Sequence, residues 1–222
     1  MKEQMFLPTR ATSFLRGSRQ FFLAAGILAL SYCGFVLLDA KLYQAYQDWR
    51  FQQALERAGP SVGSGEHLPP VLAEAKRASA EKSPGLVGRE GAPLGRIEIG
   101  RIGLAAMIME GIDSKTLRRA VGHFPGTALP GQQGNVAVAG HRDTFFRALR
   151  HIRKDDEITL TTLTGSYRYR VVSTEVVEPE AIEVLDNSDD AILTLVTCYP
   201  FDFVGPAPRR FIVRAHRSPS SP

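Results

Sequence analysis

Cysteine is nearly absent from this chain: among 222 residues there are two, Cys33 and Cys198. Cys33 falls inside the one long apolar run, so Cys198 has no thiol to pair with on its own side of a membrane. A disulfide framework is thereby excluded, and an unpaired thiol in an exported segment points to a reactive group or to a small buried side chain. Charge of one sign is also lacking. The net charge is only +4, and the basic residues are scattered rather than set in a stripe with aromatics, which argues against nucleic acid as a partner. No internal repeat is found, and the length accommodates one domain with appendages.

The most distinct segment present is Phe21–Leu38 (FFLAAGILALSYCGFVLL), eighteen residues without a charge. That length is near the lower limit for crossing a hydrocarbon core of roughly 30 Å. Lys2, Arg10, Arg16 and Arg19 precede the run against a single acid, Glu3, whereas Asp39, Lys41, Asp48 and Arg50 lie after it. The positive-inside bias therefore keeps residues 1–20 cytoplasmic and exports the chain beyond the membrane-spanning residues 21–38. The run is too long for a signal-peptide h-region, and no small-x-small cleavage site comes after it, so a retained anchor is expected.

Asp39–Ala58 reads as a polar, amphipathic helix that stops at Gly59-Pro60. Gly59–Pro93 is rich in Gly, Pro, Ser and Ala and reads as a tether, with one short helix at most over Glu74–Glu81; residues 39–93 thus form an extracytoplasmic helix and linker. From Leu94 to Arg217 the character changes, leaving 218–222 as a tail. Short β-branched and apolar runs recur at Arg96–Ile99, Ala105–Glu110, Asn135–Ala139, Glu157–Thr162, Tyr167–Val177, Ile192–Thr197 and Phe211–Ala215, separated by turn signals such as Pro125-Gly126 and Pro130-Gly131. This pattern predicts an antiparallel barrel or sandwich. Asp113–Ala120 and Thr144–Arg150 read as single helical turns or short helices.

The strand-like run Ala191–Thr197 delivers Cys198 to its end, just before a loop containing Pro200, Gly205, Pro206 and Pro208. Strand–loop junctions are where a rigid scaffold presents chemistry. A cysteine attacks a carbonyl only as thiolate, and a leaving amine needs a proton donor. Four histidines lie in this half of the chain: His123, His141, His151 and His216. His141 ends the apolar run Asn135–Ala139 after Gly140, and so stands at a strand end as Cys198 does. Negative charge developing on a carbonyl oxygen needs donors as well, which a guanidinium supplies. Arg209 and Arg210 begin the last apolar run and face opposite sides if extended.

Three blocks carry a resemblance. Gly140-His141-Arg142-Asp143-Thr144-Phe145-Phe146, Thr194-Leu195-Val196-Thr197-Cys198-Tyr199-Pro200 and Pro208-Arg209-Arg210-Phe211-Ile212-Val213 resemble the signature blocks of sortases, and Gly122–Thr127 extends the match. The likeness spans Leu94 to about His216 and is strongest to class D. Papain-like peptidases place cysteine before histidine along the chain, and L,D-transpeptidases carry an SxGC-type block, so neither fits.

The resemblance implies a closed, antiparallel, eight-stranded β-barrel and a membrane-anchored cysteine transpeptidase. It implies His141 as the catalytic histidine, Cys198 as the nucleophile and Arg210, with Arg209 as its competitor, as the oxyanion-stabilising or substrate-orienting arginine. Thr197 is expected to bond substrate or oxyanion. The implied partners are secreted proteins with a C-terminal LPxTG-like sorting signal and an amine nucleophile on a surface acceptor, reached from the cell membrane on its periplasmic or cell-surface side. No cofactor is implied. No metal site is expected either, since the acidic turns Asp155–Glu157 and Asp186–Asp190 read as solvated.

Overall fold

Alternation with a period of two decides the architecture. Ile97 and Ile99, then Leu104, Ala106 and Ile108, Val136 and Val138, Ile158 and Leu160, Tyr169 and Val171, Leu193 and Leu195, and Val213 and Ala215 all belong to one buried cluster. Each pair or triplet is the inward row of a strand, because successive side chains of a strand point to opposite faces. The computed structural model describes residues 9–58 and 89–219, and in it these rows line a closed barrel. The strands are β1 (Pro93–Ile99), β2 (Leu104–Glu110), β3 (Val121–His123), β4 (Asn135–Ala139), β5 (Glu157–Thr162), β6 (Gly165–Val177), β7 (Ile192–Tyr199) and β8 (Arg209–Arg217). Their order around the barrel is β1-β2-β3-β4-β7-β8-β6-β5, closed by β5 on β1. Closure leaves no edge strand to cover.

The barrel is closed and eight-stranded as expected, but two of its pairings are not antiparallel. β2 pairs with β3, and β4 with β7, in parallel; the remaining pairings are antiparallel. Parallel neighbours need a crossover. The helix α2 (Ser114–Arg119) and its flanks supply the first, and the β5–β6 hairpin with its long exit supplies the second. Asp113 caps α2, accepting from the backbone N–H groups of Lys115 (2.8 Å) and Thr116 (3.2 Å), the usual remedy for unpaired donors at a helix start. β3 was not anticipated. Its three residues are too few to show a period, yet all three are buried.

The helix α1 spans Thr9–Ala58, and the expected Gly59-Pro60 stop lies outside the described residues. Within Arg19–Arg57 it has a stretch long and apolar enough to cross a membrane. The compact unit that holds the barrel begins at Tyr43. Met107 and Met109 lie on the outward row of β2, and Phe51 packs on them together with Ala120, so β2 is buried on both faces. Gln44 completes the docking: its carbonyl accepts from Met107 N (2.9 Å) and its amide donates to Arg119 O (2.6 Å). Asp48 pairs with Arg96 at 2.9 Å. A short helix over Glu74–Glu81 lies outside the described residues. Asp156, expected in a solvated turn, is instead buried; both its oxygens bind Arg101, one of them at 2.6 Å.

Candidate active site

The parallel pairing of β4 with β7 builds the site. Asn135 through Ala139 lie level with Ile192 through Val196, residue for residue. His141 and Cys198 each stand two residues beyond the last pair, Ala139 and Val196, at the same end of the barrel. Two bonds carry the register past the strand: Gly140 N donates to Val196 O (3.2 Å), and the Thr197 hydroxyl donates to Gly140 O (2.7 Å). Thr197 is buried, with its proton committed to that carbonyl. It ties the cysteine strand to the histidine segment, and it also lines the groove beside Cys198.

Gly140 is required by close packing. A Cβ there would come within 2.8 Å of the Phe146 ring, which is wholly buried in the barrel core. The chain turns sharply after His141, with Phe146 N donating to His141 O (3.0 Å), so that Phe146 and Leu149 drop into the barrel end. The helical turn expected over Thr144–Arg150 is a 3-10 turn over Arg147–His151.

Across the antiparallel pair β7–β8, Cys198 lies opposite Arg210, and Val196 opposite Ile212. Side chains directly opposite share a face, with Cβ atoms roughly 5 Å apart. This face is the outer one, since Leu195, Val213 and Ala215 occupy the inner row. Arg209 therefore points away: it pairs with Glu178 at 3.3 Å and is more than half exposed. Arg210 lines the groove with Cys198 and His141. Its Nη1 donates to Ala207 O (3.3 Å) and Arg209 O (3.1 Å), which leaves its other donors for a ligand.

The groove encloses about 380 Å³. Its floor is Ala139, Val196 and Ile212, with Cys198, His141 and Arg210 at one end. One wall holds Ile112, Leu117 and Phe124; the other is the β6–β7 connection, including Ala181, Ile182, Val184 and Leu185. The lining is mostly aliphatic, suited to an extended peptide with apolar side chains. A second cleft of about 490 Å³, lined by Tyr43, Glu90, Asp113, Lys115 and Arg119 among others, has neither cysteine nor histidine in its lining.

The other histidines are elsewhere. His123 is buried between Glu110 (Nδ1 to Oε2, 2.8 Å) and Ala128 O (Nε2, 2.9 Å). His216 lies opposite Ile192, at the far end of β7 from Cys198. His151 is exposed at the end of the 3-10 turn.

Arg142 was given no role by the sequence. Arg142, next to His141, donates Nη1 to Pro200 O (2.9 Å) and Nη2 to Phe203 O (2.8 Å) and Gly205 O (2.9 Å). A single guanidinium thus gathers three carbonyls of the β7–β8 loop, whose prolines limit its own hydrogen bonding. It joins the segment after His141 to the loop between Cys198 and Arg210.

A family model described as the sortase domain matches residues 97–218 of this chain. The chain belongs to the sortase family. Sortases are cysteine transpeptidases, and this one stands with the class D branch. Sortase D of Bacillus subtilis (strain 168) is 29% identical over 198 residues, covering 89% of this chain and 96% of that protein. Among solved structures, a Clostridium perfringens Sortase D5 transpeptidase is 29% identical, covers 76% of this chain and 98% of its own, and superposes with a TM-score of 0.57. A Clostridium perfringens sortase C solved with the C-terminal cell wall sorting motif shares the fold at 24% identity and a TM-score of 0.60, covering 77% of this chain and 98% of that one.

Proposed function

We propose that this sortase is held in the cell membrane by residues 21–38, with residues 1–20 cytoplasmic. Residues 39–93 then lead to a catalytic domain over 94–217 on the exported side, with a tail at 218–222. There it cleaves an LPxTG-like sorting signal of secreted proteins and transfers the acyl group to an amine. The register that sets Cys198 level with His141 and opposite Arg210, at one end of an apolar groove, carries this reading.

The Leu and Pro of a sorting signal suit the aliphatic groove, which places the threonine carbonyl at the polar end. The Cys198 Sγ attacks that carbon as thiolate. Arg210 donates to the oxygen as it gains charge, where preorganised donors act most strongly. The Thr–Gly C–N bond breaks, and His141 gives its proton to the departing amine. The thioacyl enzyme then meets an acceptor amine, which attacks the same carbon. His141 takes the amine's proton, the C–S bond breaks, and Cys198 leaves as thiolate. Thr197 acts as a positioning residue between the two strands. Confinement of enzyme and substrate to one membrane surface raises their effective concentration.

The test uses the full chain in detergent micelles with LPxTG-like and LPxTA-like peptides and a small amine such as hydroxylamine or triglycine. A new amide or hydroxamate, made by the parent and lost in Cys198→Ala, is the expected result. Product formation that survives Cys198→Ala would overturn the reading.

A further inference from the structure

The substrate-facing wall of the groove is a long connection with little of its own to hold it in place. Glu178 to Asp190 contains one short 3-10 turn, Ile182–Leu185, and beyond that turn's own bonds its internal backbone bonds are Ala181 to Glu178, Ile182 to Glu180 and Asp186 to Glu183. Yet Val184 is buried, and several of its neighbours form the groove side. Two exposed ties reach this segment, Gln133 to Asp189 O and Arg209 to Glu178. Exposed ties of this kind contribute little.

The buried tie is Asn135. It is 1% exposed, at the first position of β4. Its Nδ2 donates to Val184 O (3.0 Å) and to Asp186 O (3.0 Å), some fifty residues along the chain. Two carbonyls can only accept, so they fix which end of the amide is nitrogen. Oδ1 must then accept, and the buried Thr194 hydroxyl donates to it at 2.7 Å. Thr194 stands on β7 two residues before Val196, which forms part of the groove floor. The wall lies so close at this point that a Cβ on Gly134 would meet Asn187 Oδ1 at 2.5 Å.

We propose that Asn135 is a positioning residue for sorting-signal binding: it holds the β6–β7 wall in its peptide-binding shape before a peptide arrives. This rests on the sorting-signal reading of the groove. Without both amide donors the wall opens, and only a fraction of molecules presents a formed groove. The apparent affinity falls by that fraction, while the bound complex, once formed, has the same wall and the same reacting groups. The signature is therefore a rise in KM with kcat retained.

The decisive variant is Asn135→Asp in the full chain. It is nearly isosteric and keeps the acceptor for Thr194, but sets a carboxylate against two carbonyls. KM for the sorting peptide should rise by about tenfold or more, in line with the loss of two buried hydrogen bonds, with kcat within about twofold. Alkylation of Cys198 by iodoacetamide, which needs no wall, should keep its parental rate. Amides of 182–187 should exchange with deuterium faster. Thr194→Val leaves both donors in place but frees the amide to turn, and should give a smaller KM rise; it serves as the second variant if Asn135→Asp does not fold.

Unchanged KM with unchanged exchange overturns the proposal. So does an equal fall in kcat and alkylation rate, which marks a general loss of structure. If neither parent nor variant turns over any sorting peptide, the sorting-signal reading has failed. Exchange at 182–187 then decides the pin by itself: faster exchange upholds it, unchanged exchange removes it.

Discussion

Arg209 and Arg210 are adjacent in sequence and opposite in role. Pairing with Cys198 puts Arg210 on the groove face, and the strand's alternation turns Arg209 away from it, to Glu178. Arg210→Ala should lower kcat/KM for a sorting peptide by about 10²–10³, the usual cost of one oxyanion donor. Arg210→Lys keeps the charge but not the planar fork, and should recover only part of the loss. Arg209→Ala removes an exposed ion pair and should leave kcat/KM within about twofold. Steady-state kinetics on the three variants checks this, and equal losses at 209 and 210 would contradict it. The placement of Cys198 and His141 at strand ends was legible in the sequence because each follows an apolar run. Arg142, Asn135 and the inward side of Thr197 were not. Their bonds run from side chain to distant backbone, across some fifty to sixty residues, and leave no periodic trace.

Among the elements, the strands were readable wherever an inward row repeats, as in Leu193 and Leu195 or Ile158 and Leu160. What escaped was β3, and the parallel direction of two pairings. Turn signals between runs favour pairing of sequence neighbours. Nothing local announces that β4 skips two strands to reach β7, although that skip sets Cys198 beside His141. A second feature of the elements concerns pH. Arg101, in the turn between β1 and β2, binds the buried Asp156 just ahead of β5, with Arg153 N also donating to it at 2.7 Å. The Arg101 hydrogen bond outweighs burial and holds the Asp156 carboxyl below the ordinary carboxylate range. A carboxyl depressed in the folded state contributes stability above its unfolded value, about 3.9, and loses it as pH falls through the folded value. Asp156→Asn should therefore lower the melting temperature by several degrees at pH 7, and the gap to the parent should close below about pH 4. Thermal melts of both proteins across that range test the sign; a gap that widens in acid would contradict it.

For the molecule as a whole, composition separated an apolar run, a Gly- and Pro-rich stretch and a β-rich region. It did not reveal that α1 residues from Tyr43 onward belong with the barrel. Phe51 reads as one apolar residue in a polar helix, and its burial depends on Met107 and Met109 on the outward row of β2. Fold, groove and register all converge on one sulfur, so the covalent step bears the most weight. Its most direct measurement is the intact mass of the full chain, acid-quenched seconds after mixing with an LPxTG-like peptide and no added amine. The expected outcome is a mass increase equal to the acyl fragment, mapped to Cys198, reversed by neutral hydroxylamine and absent in Cys198→Ala. A parent that cleaves the peptide while its mass never changes, or an adduct on any other residue, would contradict it.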